Sequence, residues 1–138
     1  MSESGPQVQR FTRQPSAIMF RRVADELPAI QTGWAEFEEL VGLRGHKFYG
    51  VVDQRTNEYL LCSNIRDDDP AGRFGLEVGE LAGGDYLRIV LTGDAPAVYQ
   101  QVGPTCQLLH TLATADESRH DVEFYRRSDE IEIWMPVS

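Results

Sequence analysis

The same order of elements occurs twice in this chain, and the duplication restricts its fold more than any other feature. In the first half, alternating residues over 17–22 predict a strand, apolar residues at helical spacing predict a helix over 27–41, and residues 47–65 predict a hairpin. A strand, a helix and a closing hairpin over 121–137 repeat that order in the second half. We therefore predict an α+β fold of tandem βαββ repeats. Such repeats build one curved antiparallel sheet with both helices on one face and a ligand cleft on the other.

Turn-forming residues separate the two repeats. The run from Asp67 to Arg73 is dense in aspartate, proline and glycine, which predicts a loop. We place repeat one at about 8–66 and repeat two at about 74–138, within a single domain of 138 residues. Residues 1–7 are polar and show no periodicity, so we predict that they are disordered.

The charge and the apolar pattern exclude several classes of protein. Asp and Glu outnumber Lys and Arg by 22 to 13, a formal charge of −9 that repels a phosphate backbone and disfavours direct nucleic acid binding. No apolar run is long enough to predict a membrane helix, and the polar start lacks the apolar segment of a signal peptide. Cys62 and Cys106 lie in apolar patterns rather than in a spaced framework. We expect a cytoplasmic protein that contacts neither nucleic acid nor membrane.

Metal and cofactor motifs are not predicted. His46, His110 and His120 stand in unrelated contexts and lack metal-ligand spacing. The Gly83–Gly84 pair lacks the remaining glycines and the lysine of a phosphate-binding loop. We therefore expect no metal and no cofactor.

The closing hairpin carries the residues that suggest chemistry. A turn at Ser128–Asp129 predicts that Tyr125 pairs with Glu132 and that Glu123 pairs with Trp134. In this register these four side chains share the face that the helices leave open, whereas the apolar ones face the helices: Val122, Phe124, Ile131, Ile133 and Met135. Carboxylates among aromatic rings suit an organic cation. An ordinary solvated sheet face has the same pattern, and spacing alone does not separate the two interpretations.

The same hairpin resembles a known family. Glu123-Phe124-Tyr125 and the later Ile-Glu-Ile-Trp-Met-Pro-Val over 131–137 resemble the GyrI-like small-molecule-binding domains, which have a SOUL-like fold. These are the effector-binding domains of AraC-type and MerR-type multidrug-responsive transcription regulators. The resemblance extends from about Phe11 to Val137, and it implies repeats related by pseudo-twofold symmetry with a ligand cleft between them.

The resemblance also implies site residues by position. Glu123 matches the family's buried ligand-binding glutamate, and Tyr125 and Trp134 match aromatic positions near it. Trp134 stands where tyrosine is commoner, which would make a broader pocket wall without a hydroxyl.

Residues of the first repeat are further candidates for the cleft. Trp34 has a helical spacing that favours the core over a pocket, and the faces of Tyr49 and Tyr59 stay open because the length of the intervening turn does not set the register. Cys62 aligns with Trp134, so it either faces the cleft or is a small buried hydrophobe.

Three functions follow from the site and the resemblance. The leading hypothesis is a stand-alone binding module that captures amphipathic, cationic or aromatic organic molecules for sensing or sequestration, with or without a separate protein partner. A second is a hydrolase of strained cyclopropanoid-type genotoxins, in which Glu123 activates water and Tyr125 or Tyr49 orients or protonates. A third is a gyrase-interacting inhibitor whose acidic surface imitates nucleic acid. Binding without catalysis is favoured over an enzyme.

Overall fold

The predicted α+β fold is confirmed. The computed structural model describes residues 7–53, 55–127 and 129–138, so the predicted turn residue Ser128 and most of the predicted disordered start lie outside the described residues. The described part contains eight strands, two α-helices and two short 3-10 helices. The strands are β1 (Val8–Arg13), β2 (Ser16–Ala24), β3 (Phe48–Asp53), β4 (Glu58–Asn64), β5 (Glu77–Leu81), β6 (Gly84–Thr92), β7 (Val122–Arg127) and β8 (Glu130–Pro136). The α-helices are α1 (Leu27–Val41) and α2 (Val102–Leu112), and the 3-10 helices are Arg73–Gly75 and Ala97–Gln101.

The chain divides into two compact units with matching strand orders. The first unit is Gln14–Gly83, with strand order β3-β4-β2-β5, and the second is Gly84–Ser138 together with β1, with strand order β7-β8-β6-β1. In each unit the hairpin that follows the helix lies beside the strand that precedes it, and every neighbouring pair within these sets whose register is described is antiparallel. Each unit is therefore a βαββ repeat with one additional outer strand.

The additional strands are exchanged between the repeats. β1 precedes β2 along the chain, yet it pairs with β6, and β5 precedes β6, yet it pairs with β2. Repeat one was predicted to begin at about residue 8, but β1 belongs to the compact unit of repeat two. Alternation of apolar and polar residues predicts that a segment is a strand. It does not show which other strand that segment will pair with.

In the first unit, a glycine lets α1 approach the sheet closely. A Cβ atom on Gly33 would lie 2.8 Å from Leu61 Cδ1 and 3.2 Å from Val23 Cγ1. Phe37 and Val41 are buried on the same side of α1. Leu61 therefore faces α1, and its neighbours along β4 alternate between the two faces of this unit's sheet.

In the second unit, α2 packs on β8 and β6 over an apolar core. The core residues are Ile89, Leu91, Val98, Leu109, Ile131, Ile133, Met135 and Val137. Burial of Ile131, Ile133 and Met135 in this core agrees with the predicted apolar face of β8. Pro104 lies in the first turn of α2, where its missing N–H does not remove a helical hydrogen bond. Within the described residues, no helix is both long enough and apolar enough to span a bilayer.

The predicted register of β7 against β8 was wrong by one residue over most of the strand. Arg127 pairs with Glu130 as expected, but a β-bulge leaves Arg126 between two consecutive pairs, so Tyr125 pairs with Ile131. Glu123 consequently pairs with Ile133, not with Trp134. An extra residue in one strand moves every side chain beyond it to the opposite face.

The bulge therefore changes which side chains share a face. Glu123 and Tyr125 lie on the side of α2, together with Ile131 and Ile133. Val122 and Phe124, which were predicted to face the helix, lie on the other side with Glu132 and Trp134. The predicted grouping of Glu123, Tyr125, Glu132 and Trp134 on one face is wrong.

We predict opposite responses to alanine at two helical glycines. Gly33→Ala should lower the free energy of unfolding by about 1–3 kcal/mol, because the added methyl group overlaps the fully buried Leu61. Gly103→Ala is the matched control, since nothing lies within 4 Å of the Cβ added there. That control should be neutral or slightly stabilising, because alanine favours the helix over glycine. Urea denaturation measures both, and equal stability of the two variants would contradict the close approach of α1.

Candidate functional site

A carboxylate and a phenol form a hydrogen-bonded pair on the helix side of β7. The Tyr125 hydroxyl donates to Glu123 Oε1 at 2.6 Å, and both side chains are half-buried. They are two residues apart on one strand, so the alternation of a β-strand places them on the same face. The short hydrogen bond fixes the orientation of the carboxylate and stabilises its charge in a partly desolvated position.

Cys106 on α2 lies close to this pair. Burial raises the pKa of the Cys106 thiol to about 12, and the negative charges of Glu123 and Asp121 contribute to the increase. The thiol is therefore protonated at neutral pH and is a poor nucleophile. The pairing of Glu123 with Ile133 places it on the side of α2, and the charges of Glu123 and Asp121 make the surroundings of the thiol negative.

Tyr99 provides a second aromatic ring beside the pair. It belongs to the 3-10 helix Ala97–Gln101, and its ring meets the ring of Tyr125 edge to face with a centroid separation of 6.4 Å. Tyr99 is 46% exposed, so its ring is accessible from solvent. The position of Tyr99 beside Tyr125 was not predicted from the sequence. Because Tyr99 and Cys106 are seven residues apart, about two helical turns, the helical pattern could have placed Tyr99 on the side of Cys106.

A histidine and an aspartate connect the end of α2 to the start of β7. His110 Nε2 donates to Asp121 Oδ2 at 2.7 Å, and the side chains are 43% and 21% exposed, respectively. His110 follows Cys106 by one helical turn, and Asp121 precedes Glu123 by two residues. The pair therefore adjoins the Glu123 site along both α2 and β7.

Trp134 lies on the opposite face of the second unit, among other rings. Its centroid is 5.1 Å from that of Phe11, 5.6 Å from that of Tyr86 and 5.6 Å from that of Phe124. Only 5% of Trp134 is exposed. Within this unit, Trp134 and Glu123 do not come together, contrary to the prediction.

Another glutamate of the hairpin, Glu132, is buried beside Trp134. Glu132 is 3% exposed, and its Oε1 accepts a hydrogen bond of 3.0 Å from Trp134 Nε1. Arg88 Nη1 lies 3.4 Å from the same oxygen, and Arg126 Nη1 lies 3.6 Å from Oε2. A buried carboxylate with an indole donor and two guanidinium groups is a structural element, because its charge is already compensated.

The candidates of the first unit are divided between two faces of its sheet. Trp34 is half-buried on the side of α1, where its Nε1 donates to the Tyr59 hydroxyl at 3.3 Å. Tyr49 and Cys62 are paired across β3 and β4 and point away from α1, and both are buried. Burial raises the pKa of the Cys62 thiol far above its ordinary value. Trp34 is thus on a different face from Tyr49 and Cys62.

Among the residues that the structure describes, no three or more His, Cys, Asp or Glu side chains are grouped so that they could hold a metal ion. The groups around Glu123 are the phenols of Tyr125 and Tyr99, the protonated thiol of Cys106 and the pair of His110 and Asp121.

Solved structures share the fold of this chain. One is the integron cassette protein from the mobile metagenome of Vibrio cholerae, with a TM-score of 0.73, 16% identity and 95% of each chain covered. Another is SAV2435 bound to tetraphenylphosphonium, with a TM-score of 0.66, 18% identity, and 96% of this chain and 94% of that chain covered. A third is the C-terminal domain of EcmrR, with a TM-score of 0.62, 9% identity, and 96% of this chain and 98% of that chain covered. No protein-family model and no curated protein sequence matches the chain significantly.

These likenesses support the fold and go no further, because the identities are low. They include one protein solved with a bound organic cation.

Thiol labelling tests the arrangement of Glu123 and Cys106. We expect Cys106 to react slowly with iodoacetamide at about pH 8, because its thiol is protonated there. Glu123→Gln should accelerate that reaction, since it removes one of the charges that raise the pKa of the thiol. Glu117→Gln, at an exposed position, is the control for the change in net charge and should leave the rate unchanged. Peptide mass spectrometry identifies the labelled cysteine, and equal rates in both variants would contradict the arrangement.

Proposed function

We propose that the chain is a GyrI-like small-molecule-binding protein that captures amphipathic organic cations at Glu123, for sensing or sequestration. The observation that carries this proposal is the Glu123 carboxylate held beside the rings of Tyr125 and Tyr99 on one side of the second unit. A carboxylate provides the counter-charge for a cation, and the two rings provide apolar and cation–π contacts.

The physical chemistry of the site favours cations over other ligands. Each cation–π contact contributes about 0.5–2 kcal/mol, with the larger values in desolvated sites. The carboxylate of Asp121 and the formal charge of −9 on the whole chain add to the attraction and oppose anions. An apolar cation loses little hydration on entering such a site, so aromatic or alkyl substituents around the charge should increase affinity.

The comparison with SAV2435 supports the ligand class. That protein was solved with tetraphenylphosphonium, a permanent cation surrounded by four phenyl rings. We extend this ligand class to the present chain because the arrangement of Glu123, Tyr125 and Tyr99 meets both requirements of such a molecule, charge compensation and aromatic contact.

Tyr99 joins Glu123 and Tyr125 in the proposed site, whereas Trp134 supports the opposite face of the sheet. Trp134 is almost completely buried among rings, and its indole N–H is engaged by Glu132. The ligand contacts predicted for Trp134, Trp34, Tyr49 and Cys62 stay predictions.

A hydrolase is the second candidate, and one observation favours it. The 2.6 Å hydrogen bond between Tyr125 and Glu123 joins the two residues to which general base and hydroxyl roles were assigned. In this alternative Glu123 takes a proton from a water molecule that attacks a strained electrophilic carbon, and Tyr125 orients the water or protonates the opened ring.

Charge selectivity tests the binding proposal. Tetraphenylphosphonium should bind more tightly than tetraphenylborate, which has the same shape and the opposite charge. Glu123→Gln should weaken binding of the cation by roughly 1–3 kcal/mol, the range for loss of a charged partner. Tyr99→Ala should weaken it by about 1 kcal/mol through loss of one aromatic contact. Isothermal titration calorimetry measures each affinity, with Glu117→Gln as the charge-matched control. If Glu123→Gln binds as tightly as the unaltered protein, Glu123 is not in the site.

Product analysis separates the hydrolase from the binding module. Incubation with a cyclopropanoid electrophile should give stoichiometric capture without product if the protein only binds. Repeated turnover, with a much larger loss of rate than of affinity in Glu123→Gln, would instead establish catalysis, because a general base acts in the transition state. Mass spectrometry of the reaction mixture distinguishes the two results. The rate of turnover of Tyr125→Phe shows whether the Tyr125 hydroxyl contributes to catalysis.

A further inference from the structure

His110 lies where its charge can act on the Glu123 site. It donates to Asp121 from the last turn of α2, and the charges of both Asp121 and Glu123 reach the Cys106 thiol one helical turn before His110. These four side chains form one patch, which we call the His110 patch.

We propose that His110 makes cation capture at Glu123 depend on pH, so that protonation of its imidazole weakens binding of an organic cation. This inference rests on the proposed function of the site and adds a proton as its regulator. His110 is a positioning residue in this proposal, because it acts through Asp121 and through its charge and does not contact the ligand.

The neutral imidazole leaves the patch with two negative charges. With a proton on Nε2 it donates to Asp121, and the carboxylates of Asp121 and Glu123 both attract a cation. Cys106 contributes no charge, since its thiol is protonated throughout the relevant range. Besides the imidazole, the His110 patch therefore holds the Asp121 carboxylate that it contacts, the Glu123 carboxylate and the neutral Cys106 thiol.

The protonated imidazole reduces that attraction. The protonated imidazole forms an ion pair with Asp121. Its positive charge reduces the negative charge of the patch from two units to one. Histidine changes its charge between about pH 5 and pH 8, so the effect falls within the physiological range. At distances of several ångströms near a protein surface, one unit charge changes the affinity for a monovalent cation by roughly two- to five-fold.

A permanently charged probe isolates the protein's contribution. Tetraphenylphosphonium carries the same charge at every pH, whereas a protonated amine would itself titrate. We measure its dissociation constant by calorimetry at about pH 8 and about pH 5.5, at constant ionic strength, for the unaltered protein, His110→Gln and His120→Gln. His120 is an exposed histidine in the same connection between α2 and β7, so it is the matched control. Circular dichroism at both pH values confirms that each variant is folded.

The expected result is a roughly two- to five-fold weaker affinity at the lower pH for the unaltered protein and for His120→Gln, and no pH dependence for His110→Gln. A pH dependence that persists in His110→Gln overturns the proposal, since Glu123 itself would then be titrating. An equal loss of the pH dependence in His110→Gln and in His120→Gln also overturns the proposal.

The two proposals fail in different ways. If the unaltered protein binds the cation at neither pH, the proposed function fails and the role of His110 fails with it. A second outcome is that the cation binds, that Glu123→Gln weakens its binding, and that the affinity of the unaltered protein is the same at both pH values. In that case only the role of His110 is overturned.

Discussion

The extra residue in β7 is the constraint on which the chemistry of this protein depends. With Arg126 bulged out of the pairing, Glu123 and Tyr125 face α2, and Trp134 faces the other side. A regular hairpin would have placed Glu123 opposite Trp134, away from Cys106 and Tyr99. The bulge is compatible with the core because Ile131, Ile133 and Met135 on β8 keep their places beneath α2 whichever way β7 is aligned. It thus moves a carboxylate to the helix side without disturbing the apolar face that stabilises the second unit.

Glu123 and Glu132 of the closing hairpin illustrate how the surroundings of a glutamate side chain decide its role. Glu132 is almost completely buried, and it receives an indole hydrogen bond and two guanidinium contacts, so its charge is compensated within the fold. Glu123 is half-buried, accepts a short hydrogen bond from Tyr125 and raises the pKa of a neighbouring thiol. The exposed ring of Tyr99 beside it distinguishes this position further from that of Glu132.

The sequence was sufficient for the parts of the structure that periodicity determines. The order of elements, the helix around Phe37 and the apolar face of β8 all follow from spacing, because burial imposes a regular period on side chains. The face of Glu123 could not be obtained in this way. A bulge adds one residue without a compositional signal, and the packing of neighbouring strands decides whether it forms. The exchange of β1 and β5 escaped prediction for a related reason, since strand pairing depends on contacts far apart in the chain. The spacing of Tyr99 to Cys106 could have placed its ring on that side of the helix, but the contact with Tyr125 depends on the register of β7, which the bulge sets.

The elements that surround Glu123 differ in how firmly they are held, and this difference suits a binding site. β7 and β8 are anchored by the buried core and, on the opposite face, by the rings around Trp134. The 3-10 helix that carries Tyr99 is short and mostly exposed, with only Val98 buried, so fewer contacts hold it in place. Local stability follows burial, and a weakly held segment can move at a small free-energy cost. In the proposed site, a ligand would therefore displace the Tyr99 ring while the carboxylate keeps its position, so that charge recognition would be rigid and shape recognition adaptable. A rigid counter-charge beside an adaptable aromatic ring allows one site to accept cations of several shapes, because the ionic contact does not depend on how the ring is arranged.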